Sequence, residues 1–87
     1  MFVIIVYDVS VERVTKVCHF LRTYLNWIQN SLFEGELTET ELREVIYTLK
    51  KIIEPSKDSV RIYTVRTEKL VNIENLGVLK TDTSPII

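Results

Sequence analysis

The sequence is poor in the residues that would tie it to an oxidising compartment, break it into flexible pieces or anchor it in a bilayer. It has one cysteine, Cys18, which excludes an intramolecular disulfide and a secreted, disulfide-stapled framework. Two glycines and two prolines, set against 46% hydrophobic residues, exclude a disordered or low-complexity chain. The one histidine, His19, has no second ligand at metal-binding spacing. The apolar run at the N-terminus is far shorter than the ~20 residues of a membrane span. No charged segment and small-residue cleavage site precede it, so neither a signal peptide nor a membrane partner is expected, and the expected location is cytoplasmic. Charge of either sign is also scarce in net terms. The balance is −1 and the pI about 5.8, so bulk charge does not announce nucleic-acid binding.

What is present points to one small folded domain. A chain of 87 residues buries a modest core, and oligomerisation is a common remedy. Its charges are unevenly placed. The first helical stretch carries Arg13, Lys16, His19 and Arg22 against Glu12, whereas Glu34, Glu36, Glu39, Glu41 and Glu44 face only Arg43 in the next. A local phosphate-binding surface on a nearly neutral protein and two solvated helix faces of opposite sign both fit that pattern.

The segment Phe2 to Tyr7 is continuously apolar and reads as a buried strand that ends in an acid, Asp8. Ser10 is placed to cap the helix that follows. Asp8 is therefore either a site residue at a strand-helix junction or a carboxylate that satisfies the first backbone N–H groups of that helix. The helix is expected over Val11 to Leu25, with Val14, Val17, Cys18, Leu21 and Leu25 as its buried stripe. Cys18 on that stripe reads as a small core residue, and His19 points away from it.

A hairpin is expected next, from Trp27 to Gln29, a turn at Asn30-Ser31, and Leu32 to Leu37. One uninterrupted strand is the competing reading. Thr38-Glu39-Thr40-Glu41 fits a capping box, and the second helix shows the stripe Leu42, Val45, Ile46, Leu49, Ile52 and Ile53 before Pro55. Ser59 to Val65 alternates as a strand, with Val60 and Ile62 opposite Arg61 and Tyr63. The order is β-α-β-β-α-β, an α+β class in which both helices pack on one face of a four-stranded antiparallel sheet. That is the ferredoxin-like arrangement, assigned to residues 1–66. Residues 67–87 form a tail too apolar for a free end. A strand near Leu76 to Leu79 is expected to join a sheet edge, of the same chain or of a second copy.

The combination of Tyr7-Asp8 with Gln29, Ser31, Leu32, Phe33, Glu34 and Gly35 resembles the CRISPR-associated protein 2 family over essentially the whole chain. The resemblance implies a symmetric homodimer in which both copies of Asp8 face a shared cleft that binds a divalent cation such as Mg²⁺. It implies an endonuclease of RNA or double-stranded DNA, with Asp8 as the catalytic and metal-binding residue and Tyr7 and Ser10 as its neighbours. Arg13 and Lys16 would then contact phosphates, and Arg61 and Arg66 are either further backbone contacts or part of an ordinary solvated strand face. Phe33 would stack on a base or pack at the dimer cleft, with a place in the sheet core as the alternative. The chain departs from many relatives at Trp27, where they carry a basic residue, and at Asn30, where they often carry an aromatic. The alternative function implied by the family is a non-catalytic dimeric adaptor that binds duplex DNA and bridges subunits of the CRISPR integrase during spacer acquisition.

Overall fold

A computed structural model describes residues 1–78. It contains β1 (Phe2–Asp8), α1 (Val11–Arg22), β2 (Asn26–Gln29), β3 (Leu32–Glu36), α2 (Glu39–Ile52) and β4 (Ser59–Val65), followed by a 3-10 turn over Glu68–Leu70. The strands form one antiparallel sheet in the order β2-β3-β1-β4. The expected α+β architecture is borne out.

Side chains alternate across β1. Val3, Ile5 and Tyr7 are buried beneath the helices with Val17, Leu21, Phe33, Val45 and Leu49. Ile4, Val6 and Asp8 point to the opposite, helix-free face. There they are joined by Glu34 and Leu32 from β3 and by Arg61 and Tyr63 from β4, which stand opposite them in the ladders. Both helices show the anticipated stripes, with Val17, Cys18 and Leu21 buried on α1 and Val45 and Leu49 on α2.

The capping box at α2 is complete. Thr38 Oγ1 accepts from the Glu41 amide at 3.1 Å, and the Glu41 carboxylate accepts from the Thr38 amide at 2.9 Å. The first helix ends earlier than its periodicity suggests. It stops at Arg22, and the chain tightens there: the amides of Tyr24 and Leu25 both donate to the Leu21 carbonyl. Leu25 stays buried in this turn because the chain must reverse to enter β2. Gly35 lies under it, where a Cβ would come 3.1 Å from Leu25 Cδ2, so any larger residue at this point of the Phe-Glu-Gly motif would make the Leu25 side chain give by a few tenths of an ångström.

The hairpin reading is also borne out. Asn30 takes φ 43°, a left-handed conformation that asparagine tolerates. A register shift between Trp27 and Gln29 makes Ile28 the extra residue of a bulge. The shift puts Trp27 opposite Phe33 and turns the indole into the core, where Nε1 donates to the Asn30 carbonyl at 3.0 Å. Beyond β4 the tail runs back over the helix-free face. Ile73, Glu74 and Asn75 close a cleft of about 340 Å³ with Ile28, Gln29, Leu32 and Glu34. Leu76 to Val78 do not form a strand, and the remainder of the expected fifth strand, Leu79, lies outside the described residues. Leu76 and Val78 stand exposed, Ile73 to Asn75 line the cleft with residues of β2 and β3, and no strand is added beside β4 among the described residues.

Candidate nuclease site

Asp8 ends β1 exposed, on the helix-free face, paired through the backbone with Ser59. No hydrogen bond or ion pair engages its carboxylate among the described residues. That excludes the structural role open to it from the sequence, and the N-cap amide of Ser10 is bonded from elsewhere.

Asp58 takes that role. It is the buried charged residue of the described chain, its side chain wholly inaccessible, and it sits one residue before the start of β4. Oδ1 accepts from the Ser10 amide at 2.9 Å and from Arg13 Nη2 at 3.0 Å. Oδ2 accepts from Arg13 Nε at 2.6 Å and from the Glu54 amide at 2.8 Å. The Arg13 fork, helped by the Glu54 and Ser10 amides, outweighs burial and holds the Asp58 carboxyl well below the usual carboxylate range. The same bond raises Arg13 further. Ser10 does stand at the N-cap position, but its side chain makes no capping bond to α1. Its amide is instead held by a residue 48 positions away, which local sequence could not reveal.

The other candidates divide. Lys16 is exposed on the outer face of α1, as are His19 and Arg22. Arg61 is exposed on the helix-free face with its guanidinium 5.6 Å from the Tyr63 ring centroid, and Arg66 is exposed just beyond β4. Arg13, by contrast, spends its Nε and Nη2 on Asp58, and its Nη1 lies 3.3 Å from Glu12. Phe33 is fully buried against Tyr7, with ring centroids 6.2 Å apart, so the sheet-core reading of this residue holds and base stacking on it does not. Tyr7 is a core residue too. Burial, then the nearby Cys18, push its phenol up to about 12, which leaves it neutral at physiological pH. Glu34 on the helix-free face is raised by burial and by Glu68.

Of the exposed cations only Arg61, the ladder partner of Val6, shares the helix-free face near Asp8; Lys16 is on the outer face of α1, Arg66 follows the opposite end of β4, and no cluster of three His, Cys, Asp or Glu occurs among the described residues. At this point the described chain presents a single unengaged carboxylate, that of Asp8.

Comparison with known proteins gives a consistent result. The profile of the CRISPR associated protein Cas2 family matches residues 1–73. A CRISPR-associated endoribonuclease Cas2 of Methanosarcina acetivorans is 54% identical over 87 residues, spanning 100% of both chains. One of Pyrococcus furiosus is 49% identical over the same length, again with 100% of both covered. A crystal structure of Cas2 superposes with a TM-score of 0.83 at 44% identity, covering 100% of this chain and 94% of its own. Streptococcus pyogenes Cas2, solved at pH 6.5, gives 0.78 at 31% identity over 88% of this chain and 100% of its own.

Proposed function

The chain belongs to the CRISPR associated protein Cas2 family, and from that premise we propose that it is a Mg²⁺-dependent endonuclease acting on phosphodiester bonds of RNA or duplex DNA. The observation that carries the reading is the exposed, unengaged carboxylate of Asp8 at the end of a buried strand. Relatives named endoribonucleases support the reaction class.

The donor chemistry fits the cation. Mg²⁺ is content with one or two carboxylates, completed by water and substrate phosphate oxygens. Asp8 is the ligand this chain offers, since every oxygen of Asp58 is already shared between two donors. A second copy docked on the helix-free face would bring its own Asp8 to the same cleft, so the functional unit is a homodimer. The bound cation supplies a lowered pKa for attacking water and charge stabilisation at the scissile phosphate. The protein holds and orients the nucleic acid: Lys16 and Arg61 meet backbone phosphates, with Arg66 beyond them. Arg13 contributes its positive field to that surface, while its hydrogen bonds serve Asp58.

Cleavage of labelled single-stranded RNA and duplex DNA, with Mg²⁺ or EDTA, tests the reading. Wild type should cut only with the metal, and Asp8→Asn should lose at least about 100-fold in rate while remaining dimeric. Equal cutting by both proteins would overturn it.

A second reading is an adaptor that binds duplex and bridges CRISPR integrase subunits in spacer acquisition. It is favoured by the apolar tail, where Leu76 and Val78 are 94% and 79% exposed. Truncation after Lys69 should then abolish integrase binding, and unchanged binding would remove this reading.

A further inference from the structure

The mechanism uses Asp8 but gives no work to a buried carboxylate on the neighbouring strand's approach, one residue before the ladder partner of Asp8. Asp58 is joined to four separate parts of the chain. Its backbone precedes Ser59, the ladder partner of Asp8. Its Oδ1 holds the Ser10 amide, two residues after Asp8. Both oxygens hold Arg13 in the first turn of α1, and Oδ2 holds the Glu54 amide beyond the end of α2. A turn closes the same segment, with the Asp58 amide donating to the Glu54 carbonyl at 2.8 Å.

We infer that the Asp58–Arg13 pair is a positioning device for Asp8, fixing the Asp8-Val9-Ser10 corner so that the Asp8 carboxylate is presented in one orientation to the cation. This rests on the reading of Asp8 as the metal ligand. Among the described residues the Asp8 side chain has no partner to orient it, so its direction follows its backbone. That backbone is held on one side by the ladder to Ser59 and on the other by the Ser10 amide. Asp58 governs both sides, because residues 58 and 59 grip residues 8 and 10. The grip is stiff for a stated reason. Arg13 approaches through two nitrogens at once, which fixes angle as well as distance, and a lysine could not do so. All four acceptor directions of the carboxylate are filled, so no alternative partner competes. Groups that hold a metal ligand in place are commonly worth about 10–100-fold in metal affinity.

The test is Mn²⁺ binding to the full-length protein, read from the loss of the free-ion electron paramagnetic signal, together with amide hydrogen exchange at Val9 and Ser10. Wild type, Asp8→Asn, Asp58→Asn and Arg13→Lys are compared. Asp58→Asn should weaken Mn²⁺ binding by about tenfold or more and speed exchange at Val9 and Ser10, with the amides of Ile4 and Ile5 still protected. Arg13→Lys keeps the charge without the fork and should fall between. A purely structural pair would lower the melting temperature and leave the affinity of the folded protein unchanged, and that result overturns the inference. Should Asp58→Asn fail to fold, wild-type affinity and exchange in Arg13→Lys overturn it equally. The two readings fail separately. Binding abolished by Asp8→Asn but untouched by Asp58→Asn and Arg13→Lys leaves Asp8 as the ligand and removes the positioning role. Binding that Asp8→Asn leaves unchanged removes the ligand, and the positioning role with it.

Discussion

Asp8 and Asp58 reach the same end of the sheet, and their surroundings give them opposite work. Asp8 meets solvent with its oxygens unengaged among the described residues, whereas Asp58 is enclosed with every oxygen bonded. The sequence made Asp8 visible because a carboxylate that ends an apolar strand is conspicuous. Asp58 was invisible because it sits in a polar connection and its partners are 45 and 48 residues away. The same non-local pairing explains why Arg13 reads from sequence as a free phosphate contact and is found already engaged. A pH dependence follows from the depressed Asp58 carboxyl. A group whose folded pKa lies below its unfolded value of about 3.9 stabilises the fold above that value. The contribution drains away as pH falls through the folded value. Thermal melts should therefore lose stability below about pH 4. Asp58→Asn should melt lower than wild type at pH 7, and the gap should narrow steadily between pH 4 and pH 2. A gap that stays constant through that range would mean that Asp58 is not held ionised by Arg13.

At the scale of elements, what was legible was whatever local chemistry decides. The Thr38–Glu41 box, the helix stripes and the two-residue turn at Asn30-Ser31 depend on neighbours in the chain, and each was readable. The bulge at Ile28 was not, because it is chosen by tertiary packing. Without the slip, Trp27 would lie opposite Glu34 and face away from the helices; with it, the indole fills the core beside Phe33 and closes the turn through Asn30. The residue that looks from sequence like a missing basic side chain is thus a packing residue. The early end of α1 is a similar case, since helical periodicity carried on to Leu25 while the connection to β2 demanded a tighter turn. The capping box gives a measurable contribution. Thr38→Ala removes the hydroxyl that accepts from the Glu41 amide, and it should cost about 1 kcal/mol. In urea unfolding the midpoint should fall with the slope unchanged, and an unchanged midpoint would show that Thr38 contributes nothing to the helix.

For the whole molecule, the decisive asymmetry is between the two faces of the sheet. The helices cover one face only. The other presents Ile4, Val6, Leu32 and Tyr63, with Val6 and Tyr63 still 41% and 49% exposed beneath a tail that lies toward β2 and β3. An apolar sheet face left open in so small a domain suits a docking surface, and under the proposed function its occupant is a second copy, which would complete a pair of Asp8 carboxylates. Val6 separates folding from association. It stands on the face away from the core and opposite Arg61, so Val6→Lys leaves the interior intact while adding a second positive charge where two copies would meet. Desolvating an unpaired ammonium costs well over the 1.4 kcal/mol that corresponds to a tenfold change in dissociation constant. Sedimentation equilibrium should show a wild-type dimer and at least about a tenfold weaker association in Val6→Lys, with an unchanged far-ultraviolet spectrum. Mn²⁺ binding should fall in step with dimer concentration if, as proposed, each chain contributes its Asp8 carboxylate to a shared cleft. A monomer that binds Mn²⁺ as tightly as the dimer would confine the site to one chain and reduce the homodimer to a matter of stability alone.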